Sequence, residues 1–259
     1  MAKGAIRRLT DEQLAEAMRL ARRSDSVELK LTVPATDHRA TAVALGLDPL
    51  DAQIRQVFFF DTPALDLNAA GVVLRARRIQ GRSGDVVVKL RPVDPEDLPG
   101  ELRQSSGVSV EVDAMPGGFV CSASLKAKAD SALINQVTLG RSPMRKLVSK
   151  SQRAFFTGHA PAGLELDSLA VLGPIFVLKQ TLQPKKFGRR LVAELWLYPD
   201  NSRILELSTK CTAADAAQAA VESRLFLTER GVNLDGRQET KTKAALTFFS
   251  KQLRAAAPA

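Results

Sequence analysis

Phe58-Phe-Phe-Asp-Thr-Pro-Ala-Leu-Asp-Leu-Asn-Ala-Ala-Gly-Val-Val-Leu-Arg-Ala-Arg-Arg78 is the stretch on which the reading of this chain turns. Asp61-Thr-Pro63 is good local turn chemistry, so Asp61 reads as a turn residue. From Val72 the pattern changes to period two, and successive strand side chains point to opposite faces. Arg75 and Arg77 therefore share a face with Val73, while Arg78 alternates to the other face and reads as a surface residue. Two permanently charged side chains stand next to each other on one face of a strand.

Outward from there the same alternation recurs. Val27 to Val33, Val86 to Arg91, Val108 to Asp113, Leu164 to Asp167, Leu191 to Trp196 and Ile204 to Lys210 read as strands, with Val72 to Arg77 between them. Glu28 and Lys30 share one face of the first strand, and Lys89 and Arg91 share one of the third. Glu111 and Asp113 lie together, as do Glu165 and Asp167; Glu194 sits with Trp196, and Glu206 with Ser208 and Lys210. Thr10 to Arg23, Asp37 to Leu45, Ala213 to Glu229 and Thr240 to Leu253 carry helical spacing. Glycine- and proline-rich turns separate the strands, and no internal repeat is visible.

An antiparallel sheet with one wet face would alternate in this way. Two features favour a different arrangement. Same-sign pairs such as Arg75/Arg77, Lys89/Arg91, Glu111/Asp113 and Glu165/Asp167 are unlike a surface that serves only solubility. The helices, moreover, need an apolar sheet face to cover. A closed antiparallel β-barrel of the α+β class, charged inside and covered by helices outside, satisfies both.

The bulk composition sets limits. With 259 residues, 45% hydrophobic and 25% charged, the chain reads as an ordinary globular protein, and a barrel of this size is one domain. Residues 1–25 form an N-terminal helical extension and 26–259 the barrel domain with its C-terminal helices. Cys121 and Cys211 are far apart, which fits a reducing compartment, and no secretory or membrane-spanning run is present. The chain reads as cytoplasmic. A net charge of +9 points to anionic partners. One Trp, one Tyr and 11 Phe without interleaved basic residues argue against single-stranded nucleic acid. An RNA-binding basic domain is the weakest reading, and a homodimer is left open.

A charged interior of this kind suits a triphosphate, which carries about four negative charges and many acceptor oxygens for Arg and Lys. Carboxylates beside such an anion require a cation between them, and hard oxygen ligands favour Mg²⁺ or Mn²⁺. No P-loop, dinucleotide fingerprint or Gly-x-Ser-x-Gly elbow occurs, and His38 and His159 read as ordinary surface residues. By pairing, Glu111 and Asp113 are candidate metal ligands, followed by Asp167, Glu194 and Glu206; Glu165 is left between ligand and surface. Trp196 reads as packing.

The Phe58–Arg78 stretch resembles the signature of the CYTH or triphosphate tunnel family, in which an aromatic-Asp-Thr turn precedes a Gly and an Arg-x-Arg strand. The family includes class IV adenylate cyclases, thiamine-triphosphatases and inorganic triphosphatases. Val88-Lys-Leu-Arg91 resembles its basic strand, Lys150 with Arg153 a later Lys/Arg pair, and Glu194-Leu-Trp196 and Leu205 to Lys210 its closing strands. The naming motif, Glu-x-Glu-x-Lys, reads Ser26-Val-Glu-Leu-Lys30 here, so Glu28 and Lys30 match and Ser26 replaces the first Glu; Ser208 likewise stands where a second closing Glu is expected. The resemblance implies a metal-dependent hydrolase of tripolyphosphate or a small organic triphosphate, with Glu28 and Lys30 catalytic. Lys30, Arg75, Arg77, Lys89, Arg91, Lys150, Arg153 and Lys210 would hold phosphates, and Glu28, Glu111, Asp113, Asp167, Glu194 and Glu206 the metal. A class IV-like adenylate cyclase and a polyphosphate-binding protein weakened in catalysis are the alternatives.

Overall fold

The computed structural model describes residues 9–236, 238 and 240–256. Nine strands close a barrel: β1 Ser26–Val33, β2 Gln53–Asp61, β3 Val72–Ile79, β4 Arg82–Leu90 and β5 Val108–Met115, then β6 Gly118–Ala129, β7 Ala170–Leu182, β8 Leu191–Leu197 and β9 Arg203–Cys211. Around the ring the order is β1-β5-β6-β4-β3-β2-β7-β8-β9. The helices are α1 Asp11–Arg22, α2 His38–Leu45, α3 Asp66–Ala69, α4 Gly100–Gln104, α5 Ser131–Thr138, α6 Lys150–Thr157, α7 Ala216–Glu229 and α8 Lys241–Ala256. No helix among the described residues is long and apolar enough to cross a membrane.

The barrel is not wholly antiparallel. An odd number of strands cannot alternate direction all the way round, so one seam must be parallel, and it falls between β1 and β5. That seam is four residues long, Ser26↔Glu111 to Leu29↔Ala114. Every other neighbouring pair is antiparallel.

Outward-facing apolar residues meet the helices. Leu20 and Ala21 of α1, Ile134 and Val137 of α5, and Phe155 and Phe156 of α6 join one core with Phe58, Phe60, Leu74 and Val88. The N-terminal helix thus shares its core with the barrel wall. Phe226 and Leu227 of α7 pack with Leu31, Val33, Leu205 and Leu207. The last helix behaves differently. Ala245, Leu246 and Phe249 of α8 pack on Val57, Phe59, Ile175, Val177 and Trp196, among which Val57, Val177 and Trp196 line the barrel's cavity. It closes an end of the barrel.

Three strands, β2, β6 and β7, do not announce themselves by alternation. In β2 the residues Val57, Phe58, Phe59 and Phe60 are all buried, because both faces of the strand are packed. Conversely, Leu164 to Asp167 is not a strand: Glu165 is exposed and Leu166–Ser168 forms a 3-10 turn outside the barrel. Four alternating residues suffice for a loop to bury Leu164 and Leu166 against the core. Asp61 does organise a turn: its buried carboxylate accepts hydrogen bonds from the backbone N–H groups of Thr62, Leu67 and Asn68 at 2.7, 2.9 and 3.0 Å.

Gly84 marks where the wall is tightest. A Cβ there would lie 2.3 Å from the Arg77 carbonyl oxygen and 2.5 Å from the Ile134 side chain of α5. Gly84→Ala is therefore expected to lower stability by about 1–3 kcal/mol through overpacking. Urea denaturation measures it, and an unchanged midpoint would contradict this account of the β3–β4–α5 contact.

Candidate functional site

The inward residues of the strands surround a cavity of ≈ 360 Å³ lined by ten basic and four acidic side chains. Among the expected residues, Glu28, Lys30, Arg75, Arg77, Lys89, Arg91, Glu111, Glu194, Glu206 and Lys210 reach it, and Asp113 lies directly behind. Lys150, Arg153 and Asp167 do not. The first two are exposed on α6, whose buried side presents Gln152, Phe155 and Phe156 to the barrel's outer wall. There Gln152 Nε2 donates to the carbonyls of Val86 and Leu125. Asp167 pairs with Arg145 on the surface. Arg78 is also placed differently from expectation. It faces outward but is half-buried beneath α5, where Nη1 donates to Gln56 Oε1 at 2.7 Å and Asn135 Oδ1 at 3.1 Å.

Asp113 is the centre of one charge cluster. It has no exposed side-chain surface, and Lys30 Nζ lies 2.7 Å, Arg91 Nη1 3.2 Å and Lys89 Nζ 3.8 Å from its oxygens. Burial alone would raise its carboxyl, but Lys30, Lys89 and Arg91 together hold it down at about 2. Lys30 also meets Glu28 at 3.0 Å. Burial works against the Lys30 ammonium, yet Asp113 and Glu28 raise it above the ordinary value, so it stays charged. Lys89 has the opposite balance: burial, with repulsion from Lys30 and Arg91, outweighs Asp113 and brings it to about 8.

The seam decides what stands beside Ser26. Pairing Ser26 with Glu111 brings the Ser26 hydroxyl to 3.3 Å from Glu111 Oε2, while Lys210 Nζ approaches the same oxygen at 2.6 Å. Asp25 contributes nothing there, since its Oδ2 accepts from the Val110 amide. Glu28, Glu111 and Asp113 bring one carboxylate oxygen each within 4.8 Å of one another. Three hard oxygen donors at that spacing are a donor set that suits a divalent ion such as Mg²⁺ or Mn²⁺.

Across the cavity stand Arg55 of β2, Arg75 and Arg77 of β3 and Lys179 of β7. Arg77 is held in a two-pronged contact by Asp85, both bonds 2.7 Å. Arg75 has no such partner. Its Nε is buried without a hydrogen bond, and burial plus repulsion from Arg77 pull its guanidinium down to about 10. A buried donor left unsatisfied in a basic cavity is a place for an anion. Glu194 is surrounded by Arg55, Lys179 and Lys241, and burial is outweighed so far by Lys241 and Lys179 that its carboxyl lies well below the usual range.

Arg55, Lys126, Lys179 and Lys241 were not among the expected residues. Arg55 and Val57 do share a face at period two, and Lys179 lies opposite Glu194 across β7–β8. Lys241 opens a helix, where strand parity says nothing. His38 Nε2 and His159 Nδ1 lie within hydrogen-bond distance of the Val33 and Phe155 carbonyls, and neither lines the cavity.

The fold matches solved structures. A Hippeastrum protein, provisionally assigned as an adenylyl cyclase and described as having a dominant triphosphatase activity, superposes with a TM-score of 0.62 at 20% identity, covering 85% of this chain and 95% of that one. A Bacillus halodurans protein provisionally assigned as an adenylate cyclase gives 0.58 at 11% identity, over 85% and 96%. No family model matches the sequence, and no curated protein does. The chain therefore shares the closed-barrel fold of these two proteins, here with a charged interior.

Asp113 supplies a test of the charge cluster. Its carboxyl is depressed from 3.8 to about 2, so it contributes stability above pH ~4 that is lost as pH falls through about 2. The shift corresponds to on the order of 2 kcal/mol. Asp113→Asn is expected to lose more at neutral pH, about 3–5 kcal/mol, because Lys30, Lys89 and Arg91 are left without their counter-charge. Denaturant titrations at pH 7 and pH 3 measure both effects, and the variant's stability should fall less steeply between the two.

Proposed function

We propose that the barrel is a divalent-metal-dependent hydrolase of inorganic tripolyphosphate or a small organic triphosphate. The observation that carries this reading is the buried, unpartnered Nε of Arg75, set across a strongly basic cavity from the Glu28–Glu111–Asp113 carboxylates. A cavity of ≈ 360 Å³ is of the size used for small ligands.

In this reading Arg75 and Arg77 grip one end of the phosphate chain, with Arg55 and Lys179 beside them. Lys89 and Arg91 hold the segment nearest the carboxylates, and Lys30 and Lys210 its other flank. Glu28, Glu111 and Asp113 would hold Mg²⁺ or Mn²⁺, which supplies charge neutralisation and orients an attacking water. Lys30, which neutralises Asp113 and Glu28, would be released to face phosphate if those carboxylates held a metal. Catalysis rests mainly on positioning and on cations placed where charge develops. Both cysteines are free and buried, which suits a reducing compartment such as the cytoplasm.

An adenylate cyclase is the second reading, favoured by the assignments of the two structural neighbours. It would use the same cations to expel pyrophosphate from ATP. A binder with little turnover is the third, motivated by Ser26 in place of a glutamate.

Phosphate release from tripolyphosphate, thiamine triphosphate, ATP and GTP with Mg²⁺ or Mn²⁺ separates them. Turnover of one substrate is expected, reduced about 10²–10³-fold in kcat/KM by Arg75→Ala and by Glu28→Ala. Cyclic AMP from ATP would establish the cyclase. Failure to release phosphate from any of the four sinks the hydrolase; stabilisation of the parent by tripolyphosphate, absent in Arg75→Ala, would then mark a binder.

A further inference from the structure

The barrel contains a second pair of carboxylates. Glu194 of β8 and Glu206 of β9 are directly opposed across antiparallel strands, with 16% and 8% of their side-chain surface exposed. Like charges in that position repel, and the repulsion grows as water is removed. A cation has to lie between them. Lys241 provides it: Nζ lies 2.5 Å from Glu194 Oε2 and 2.7 Å from Glu206 Oε1, and it sits 5.0 Å from the centre of the Trp196 ring.

Lys241 does not arrive there on a free chain. It is the first residue of α8, whose Ala245, Leu246 and Phe249 are buried against the barrel. The Tyr198 hydroxyl donates to the Lys241 carbonyl at 3.2 Å. Just upstream, the Gln238 side chain pairs with the backbone of Thr32 on β1: Oε1 accepts from the Thr32 amide at 2.8 Å, and Nε2 donates to its carbonyl at 3.3 Å. Gly236 passes so close to β1 that a Cβ would lie 2.6 Å from the Thr32 carbonyl oxygen. The ammonium is thus fixed from both sides. Burial disfavours its charge, but Glu206 and Glu194 raise its proton affinity above the ordinary lysine value.

We infer that Lys241 is a tethered cation that holds the Glu194–Glu206 pair in place of a divalent ion, confining metal in this barrel to the Glu28–Glu111–Asp113 end. The inference builds on the metal requirement proposed above. Lys30 also bridges Glu28 and Asp113, but a third carboxylate, Glu111, stands beside that pair. The inference rests on Glu194 and Glu206 having no third carboxylate grouped with them among the described residues, and on their focus being filled by an ammonium anchored on α8. Glu194 is further occupied by the Trp196 indole N–H at 3.2 Å and Lys179 at 3.4 Å. Lys241 is a positioning residue in this sense: it balances the pair and orients the carboxylates that flank Lys179 and Arg55.

The experiment counts Mn²⁺ bound per chain, from the loss of the free-ion electron paramagnetic resonance signal, on the full-length protein without substrate. Lys241→Met is expected to bind one equivalent more than the parent, and adding Glu206→Gln to that variant removes the extra equivalent. Equal uptake by parent and Lys241→Met overturns the inference. Should Lys241→Met not fold, Glu206→Gln alone decides: an unchanged count supports Lys241 as the occupant, and a loss of one equivalent overturns it. Because the reading is a difference between variants, it is separable from hydrolysis. A parent that binds no Mn²⁺ beside a Lys241→Met protein that binds one keeps Lys241 as the occupant of the Glu194–Glu206 pair, but overturns the assignment of metal to the Glu28–Glu111–Asp113 end and with it the metal in the proposed function.

Discussion

Asp113 has no exposed side-chain surface, and three cations converge on it: Lys30 of β1, Lys89 of β4 and Arg91 just beyond β4. The rest of the interior depends on this balance. A barrel lined with so many basic groups would repel itself, and each buried cation carries a desolvation cost that only a close counter-charge offsets. Asp85 does this for Arg77 and Lys126, and Glu194 for Lys179 and Arg55. The carboxylates are therefore as much part of the fold as of any chemistry. Arg75 is the exception: its buried Nε has no hydrogen-bond partner.

The same logic explains why the last helix enters the barrel instead of covering it. Its apolar side completes the layer formed by Val57, Phe59 and Trp196, and its first residue brings a charge to the two glutamates beside that layer. Packing and charge neutralisation thus fix one helix at one depth. A helix held by apolar contacts alone could slide along the barrel axis at little cost; an ammonium between two carboxylates specifies where it stops.

Much of this was legible wherever strand parity carried charge. Arg75 with Arg77, Glu111 with Asp113, and Glu28 with Lys30 all point inward as their alternation requires. Parity carries no signal where both faces of a strand are packed, as in β2, and Arg55 precedes a run of buried residues that does not alternate. In β7 the register against β2 shifts between Leu172 and Ile175, which displaces the alternation before Lys179. Lys150, Arg153 and Asp167 misled for a related reason. Outside a strand, a charged residue's neighbours in sequence do not say which way it faces, and α6 turns its glutamine and phenylalanines inward. The parallel seam was beyond local pattern altogether, since it follows from the count of strands and not from any one of them.

The position of β1 in the ring has a consequence for how the protein comes into being. It is flanked by β5 on one side and β9 on the other, and its partners Val27 and Cys211 are 184 positions apart in the chain. The entropy of closing so long a loop has to be met before its contacts reward it. Glu28 and Lys30 acquire an inside only when the ninth strand has been made and has found the first. A partly synthesised or partly folded chain has basic strands but no enclosure, and an anion that needed the enclosure would stabilise the finished ring alone.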